Sequence, residues 1–260
     1  MSFYLFEIAA NVLQTAVYIV ILVLGSRKFM QCPSLPLGLF LIATASLAIG
    51  DFYWISLLYL GSDSVRSFSA SDISEIGNML LLYSMMKIRL DRSAIRSLFC
   101  PGTVLAAVFG LIVAVLWTFW SVPLIATVPE IVLMVLLSCV SVLELEVKRP
   151  IPKRAVTTVA LFLAAAAFIQ FILLHVSGAS YTVLDMAGSL LMNVLVLLLI
   201  IASLRVPGQR FPAGMLAFVA ANYAQSMCIG FFYSLSMMLV TLSYALLFLG
   251  IGETEEEVSV

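Results

Sequence analysis

Runs of about twenty predominantly apolar residues follow one another along this chain, each long enough at roughly 1.5 Å per helical residue to cross a 30 Å hydrocarbon core. They lie near 3–24, 37–60, 71–88, 102–119, 121–144, 155–176 and 183–204. A last apolar segment covers 39 residues, 212–250. As one straight helix it would measure roughly 58 Å, too long for a single crossing. It reads either as a short helix followed by a span or as a tight pair of spans turning near Gly230. Backbone in hydrocarbon must satisfy its own polar groups, which leaves helices or closed barrels. The short alternating segments of a barrel are missing, so the expected fold is an all-α, polytopic transmembrane helical bundle. Its expected count is seven to nine spans, eight being the best reading, in one integral membrane domain closed by an acidic tail at 251–260.

Charge restricts function as well as fold. Only 10% of residues are charged, against roughly 25% in soluble domains. With a net charge of −1 and no basic patch interleaved with aromatics, nucleic acid is not an expected partner. Cys32, Cys100, Cys139 and Cys228 show no CxxC spacing and read as reduced, inert thiols. His175 is the sole histidine and cannot build a His-based metal site, so neither metal nor cofactor is expected. The opening MSFYLFEIAANVLQTAVYIVILVLGSRKF places its positive charges after the apolar run, unlike a signal peptide, and is expected to remain as the first span.

Basic residues follow the odd-numbered spans: Arg27 and Lys28; Lys87, Arg89, Arg92 and Arg96; Lys148, Arg149, Lys153 and Arg154; Arg205 and Arg210. Arg66 alone falls in the other loops. By the positive-inside rule the odd-numbered loops are cytoplasmic and the N-terminus lies outside, as a multi-pass protein of the cytoplasmic (inner) membrane.

That orientation assigns the scarce polar residues of the spans to one level. Glu7 and Asn11, Asp51 with Trp54, Asp72, Glu75 and Asn78, Glu130, Gln170 and His175, and Asp185 with Asn193 all fall in outer halves, while the inner halves are almost purely aliphatic. Ionisable groups in hydrocarbon cost about 2.5–3.5 kcal/mol each on insertion scales and so face the bundle interior or water. Helical spacing agrees: Glu7/Asn11, Asp72/Glu75/Asn78 and Asp185/Ser189/Asn193 each form one stripe. The expectation is an outward-facing acidic polar cavity centred on Asp51, its ligand-binding residues being Asp51, Trp54, Glu75, Asn78, Glu130, Asp185, Asn193, Glu7 and Asn11.

Plainer roles compete at several of these positions. Asp72 and Glu75 follow SAS at a helix start, where a capping box and the positive helix end favour acids. Pro129 before Glu130 can kink its span. Glu7 and Asp185 suit an outer interface, Trp54, Tyr53 and Tyr59 an aromatic belt, and His175 a polar interfacial tip. Glu144 and Glu146, before VKRP, read as solvated partners of those basic residues. Asn222 and Gln225 mark either a polar face toward the cavity or the turn of a helical pair. AAAA (164–167) and ATASLAIG (43–50) read as close-packing surfaces.

Converging acids without a buried Lys or Arg opposite them must bind protons or a cation. A receptor would hold a small cationic ligand there and pass the change to its basic loops. A transporter would use the acids as ion relays, but needs a polar path inward. No GxSxG or HExxH signature supports hydrolysis, and no catalytic residue is assigned.

GDFYWISLLYL followed by FSASDISEIGNMLLLY resembles the multi-span N-terminal regions of bacterial membrane sensors that precede diguanylate-cyclase or histidine-kinase domains. The likeness covers spans two and three and implies that Asp51, Trp54, Asp72 and Tyr83 match a recurrent motif. It also implies a sensory role in signal transduction. These 260 residues contain no cyclase or kinase domain, so a separate cytoplasmic or membrane signalling partner would be needed, beside membrane lipids. Gly50, Asp51, Leu82 and Tyr83 are also similar to the lysoplasmalogenase family of multi-span lipid hydrolases. That family's second catalytic Asp has no counterpart in AAAAFIQF, and Asn78 or a neighbour stands in place of its His.

Overall fold

The computed structural model describes residues 2–60, 69–90, 100–119, 124–148, 150–206, 208–228 and 230–258. Arg66, Arg92, Arg96 and Arg149 lie outside the described residues, as does the side chain of Tyr59. No strand occurs among the described residues. They form nine helices: α1 (Ser2–Gln31), α2 (Leu35–Leu60), α3 (Ala70–Arg89), α4 (Pro101–Phe119), α5 (Leu124–Lys148), α6 (Lys153–Leu173), α7 (Ala179–Leu204), α8 (Arg210–Met227) and α9 (Phe231–Val258). Six of these, α1, α2, α5, α6, α7 and α9, are long and apolar enough to cross a bilayer. The protein is a multi-pass helical membrane protein.

The 212–250 segment contains two helices, so the described residues hold nine where eight spans were the best reading. Cys228 is extended and Gly230 takes φ +60, a left-handed conformation open to a residue without Cβ; the chain reverses between them. In the acidic tail, α9 continues to Val258, as Glu and Thr carry no helix-breaking proline with them. Pro129 falls within the first two turns of α5, where an absent N–H breaks few bonds.

α8 is the hub. It packs on α5, α7 and α9, while α1, α2 and α3 close the ring from α9 to α5, and α4 and α6 flank α5 and α7. Its Gly214, Ala217, Ala221 and Ala224 are buried, and such small side chains let neighbouring helices approach closely. The deepest point is the ring of Tyr244 on α9, fully buried among Tyr18 of α1 at 5.1 Å, Phe40 of α2 at 5.1 Å and Phe218 of α8 at 5.4 Å between centroids. Aromatic pairs in these geometries contribute about 0.5–1.5 kcal/mol each beyond area burial. The small-residue surfaces differ in use: Gly50 and Ser46 bring α2 against α3, with Ser46 donating to the Ser74 carbonyl at 3.0 Å, but within AAAA only Ala166 is buried.

Toward the connection between α7 and α8 an ion pair crosses the bundle. Arg89 of α3 donates to Glu144 of α5 at 3.0 Å, their side chains 11% and 6% exposed, and the guanidinium lies 4.5 Å from the centre of the Phe211 ring on α8. Glu144 is therefore not a solvated partner of VKRP, and this half of the bundle is not purely aliphatic. The partner is 55 residues away in sequence, so no local pattern announces it. Glu146 does stay local and accepts the Ile151 N–H at 3.2 Å.

Two consequences are measurable as detergent melting curves. Glu144→Gln should destabilise the bundle by about 3–5 kcal/mol by removing one charge of a buried ion pair, whereas Arg89→Met with Glu144→Met should recover most of the loss. A Cβ at Gly250 would meet the Phe211 backbone at 2.6–2.8 Å, so Gly250→Ala should lose about 1–3 kcal/mol. Gly77→Ala, with its nearest contact at 3.4 Å, should not.

Candidate functional site

Toward the α8–α9 turn a cavity of about 200 Å³ opens between α1, α2, α3, α8 and α9. Asp51, Asp72 and Glu75 line it, together with the amides of Asn11, Gln14, Asn78, Asn222 and Gln225 and the rings of Tyr18, Trp54 and Tyr233. No Lys or Arg is among its described lining residues.

Each acid has a different local reason to be there. Asp72 closes a capping box on α3: its N–H donates to Ser69 Oγ at 3.2 Å, while its carboxylate accepts from the Ser69 N–H and, at 2.9 Å, from the Ser69 hydroxyl. The capping alternative thus holds for Asp72. Glu75, one turn further, is not used by the cap; Ser71 is within hydrogen-bonding reach of its carboxyl. Asp51 comes from α2, opposite α1, where the Thr15 hydroxyl reaches toward it while donating to the Asn11 carbonyl at 2.9 Å. Asp51 and Glu75 are close enough for each carboxylate to feel the other's charge. Two acceptors around the cavity, Asp51 Oδ2 and Asn78 Oδ1, are buried with no hydrogen-bond donor among the described residues.

The floor is a directed hydrogen-bond chain. Asn78 Nδ2 donates to Tyr244 Oη at 2.9 Å and to the Ala43 carbonyl at 3.0 Å. Thr44 donates to the Phe40 carbonyl at 2.8 Å, so across the 3.2 Å contact between Thr44 and Tyr244 the phenol is the donor. α3, α9 and α2 are tied at one level, above the aromatic cluster.

Of the nine residues expected at the site, Asn11, Asp51, Trp54, Glu75 and Asn78 line the cavity. Trp54 is 36% exposed while lining it. Glu7 is half-buried on the α1 stripe, and only its backbone carbonyl is engaged there, by Asn11 Nδ2 at 3.0 Å. Glu130 is near enough to Glu75 and Asp72 to feel their charge without lining the cavity. Asp185 and Asn193 belong elsewhere. Asn193 is built into a separate cluster between α7, α8 and α9, accepting from Ser236 at 3.1 Å and donating to the Ser189 carbonyl at 2.9 Å and Cys228 Sγ at 3.6 Å. Asp185 is buried on the same α7 stripe. Their spacing identified a buried helix face correctly, but not which interior it meets. His175 is exposed, its Nδ1 3.0 Å from the Phe171 carbonyl, in keeping with an interfacial tip.

Sequence reasoning passed over Gln14, Tyr18 and Tyr233. The first two were available: Glu7, Asn11, Gln14 and Tyr18 recur at helical spacing on one stripe, and Gln14 donates to the Tyr18 hydroxyl at 2.8 Å. Tyr233 was not, since it reaches the cavity only because α9 turns back at Gly230; its hydroxyl accepts from Gln225 at 3.3 Å. Asn222 and Gln225 serve the cavity face and flank the turn at once.

No protein-family model, curated protein or solved structure matches this chain.

The floor makes a paired prediction. Tyr244→Phe keeps the ring packing but strands Asn78 and Thr44, and should cost about 1–3 kcal/mol of stability. Tyr223→Phe should be neutral or stabilising, because the buried Tyr223 hydroxyl has no partner among the described residues. Equal losses in thermal melts would show that the chain from Asn78 to Phe40 does not hold the floor together.

Proposed function

We propose that this protein is a membrane-embedded binding protein for a small cationic ligand, which enters the acidic cavity from outside the cell and signals through the bundle without chemical change. One observation carries this reading: three carboxylates, from Asp51, Asp72 and Glu75, share a cavity with no Lys or Arg among its described lining residues, and the buried polar atoms left over around it among the described residues are acceptors. A ligand that supplies N–H donors and positive charge answers both conditions. Trp54 and Tyr233 line the cavity, and an ammonium seated over an aromatic ring gains about 0.5–2 kcal/mol. The cavity lies below the roughly 300–1,000 Å³ of drug-sized pockets, which favours a small amine.

Orientation supports the outside opening. Arg27, Lys28, Lys87, Arg89, Lys153, Arg154, Arg205 and Arg210 all fall at the α7–α8 end, opposite the cavity, and the positive-inside rule puts that end in the cytoplasm. With nine crossings, the N-terminus faces out and the end of α9 faces in. The floor and the aromatic cluster close the inward route, which favours binding over passage. Basic loops at the cytoplasmic end suit a separate acidic signalling partner.

The test uses putrescine, agmatine and choline as probes on the purified protein. At a hundredfold excess over Kd, a bound amine should stabilise by about 2.7 kcal/mol, read as a rise in melting temperature. Asp51→Asn and Glu75→Gln should abolish the rise, and Glu130→Gln should only reduce it. If none of the three amines shifts the parent's melting, or if the Asp51 variant shifts equally, the reading fails. Accumulation of the same amine inside proteoliposomes would replace it with transport.

A further inference from the structure

A second, larger cavity of about 480 Å³ occupies the opposite half of the bundle, between α4, α5, α6, α7 and α8. Its walls are largely aliphatic and small: Leu105 and Ala106 of α4, Val142 of α5, Val159 and Leu163 of α6, Leu199 of α7 and Ala220 of α8 among them, and among the described lining residues only Ser138, Gln209 and Tyr223 bring polar side chains. It exists because α6 stands away from the core. α6 packs on α7 and more lightly on α4, not closely on α5 or α8, and only 17% of its span is buried, against 61% for α5 and 67% for α9.

Three features say what fills it. Walls with so few polar side chains among their described residues hold water poorly, since a water needs 2–4 polar partners. Along α6 and its cap the cavity runs from Pro152 to Leu163, and along α7 and the residues after it from Met192 to Val206. At helical rise these stretches are about 16 and about 21 Å long, against about 15 Å for the half-thickness of a 30 Å hydrocarbon core, so the cavity has roughly the depth of one leaflet. Finally, its rim is cationic: Lys153 and Arg154 follow the lining residue Pro152, Arg205 precedes the lining residue Val206, and all three side chains are exposed. The acid nearest in sequence, Glu146, is already engaged by the Ile151 N–H at 3.2 Å.

We infer that this cleft seats an acyl chain of one anionic phospholipid from the leaflet at the α7–α8 end, with the lipid's phosphate held at the rim by Lys153, Arg154 and Arg205. The apolar walls supply retention, and the three cations supply headgroup choice, each basic residue near a membrane surface favouring anionic lipid. Long basic side chains can reach the headgroup level while their stems cover apolar wall. The inference stands apart from the amine-binding cavity, which shares no lining residue with this one.

Native mass spectrometry of the full chain, released from nanodiscs of equal phosphatidylglycerol and phosphatidylcholine, tests it. The parent should retain one lipid per chain, with phosphatidylglycerol enriched roughly tenfold or more. The exposed-site variant Lys153→Gln/Arg154→Gln/Arg205→Gln should retain lipid but lose the enrichment, and Ala220→Phe, which fills the cleft, should release lipid of both kinds. If Ala220→Phe fails to fold, the rim variant alone decides. Retention of the two lipids in proportion to their supply, or an enrichment unchanged in the rim variant, overturns the inference.

Discussion

Hydrocarbon offers no water to repair an unmet charge or hydrogen bond, so each polar side chain in these helices must find its answer inside the bundle. The observed answers are of three kinds. Arg89 and Glu144 neutralise one another across α3 and α5; Asn78, Tyr244 and Thr44 pass a hydrogen bond through three helices; and Asp51, Asp72 and Glu75 border a cavity. The first two solutions are complete enough to hold helices together. The third gathers carboxylates with no Lys or Arg among the described lining residues, and this difference separates a structural polar cluster from a candidate site.

The bundle is accordingly polarised along its length. The half nearer the α8–α9 turn holds the acidic cavity, and the half nearer the α7–α8 connection holds the ion pair and the apolar cleft. The Tyr244 cluster lies between them. Because Tyr244 touches Tyr18, Phe40 and Phe218 with its ring and Asn78 and Thr44 with its hydroxyl, any displacement of α3 or α9 at the cavity must be felt in the packing of α1, α2 and α8. The cavity and the rest of the bundle are therefore joined through one packing unit.

Much of this was readable from residue order. Apolar run length marked where most helices lie, though α1 runs on to Gln31 and 212–250 was left with two readings, and helical spacing placed Asn11, Glu75 and Asn78 on interior faces. Failures share a cause. Glu144 looked solvated because acids and bases alternate near it in sequence, yet its partner is Arg89 on another helix. Asp185 and Asn193 were grouped with Asp51 because they sit at the same depth, but depth along a helix says nothing about azimuth around the bundle. Tyr233 escaped notice because its position depends on a reversal at Gly230 that two alternative readings of 212–250 allowed.

Sequence by itself determined the solvent and the secondary structure: runs of apolar residues matched to bilayer thickness admit helices and little else, and the shortage of charge makes each carboxylate conspicuous. Which carboxylates meet was decided only by tertiary structure. A helix's periodicity defines a face up to rotation, whereas packing α8 against α5, α7 and α9 selects the neighbour that face is turned toward. The apolar cleft was equally invisible beforehand, since a cavity is a property of the space between helices, and α6 is as hydrophobic as helices that leave no gap.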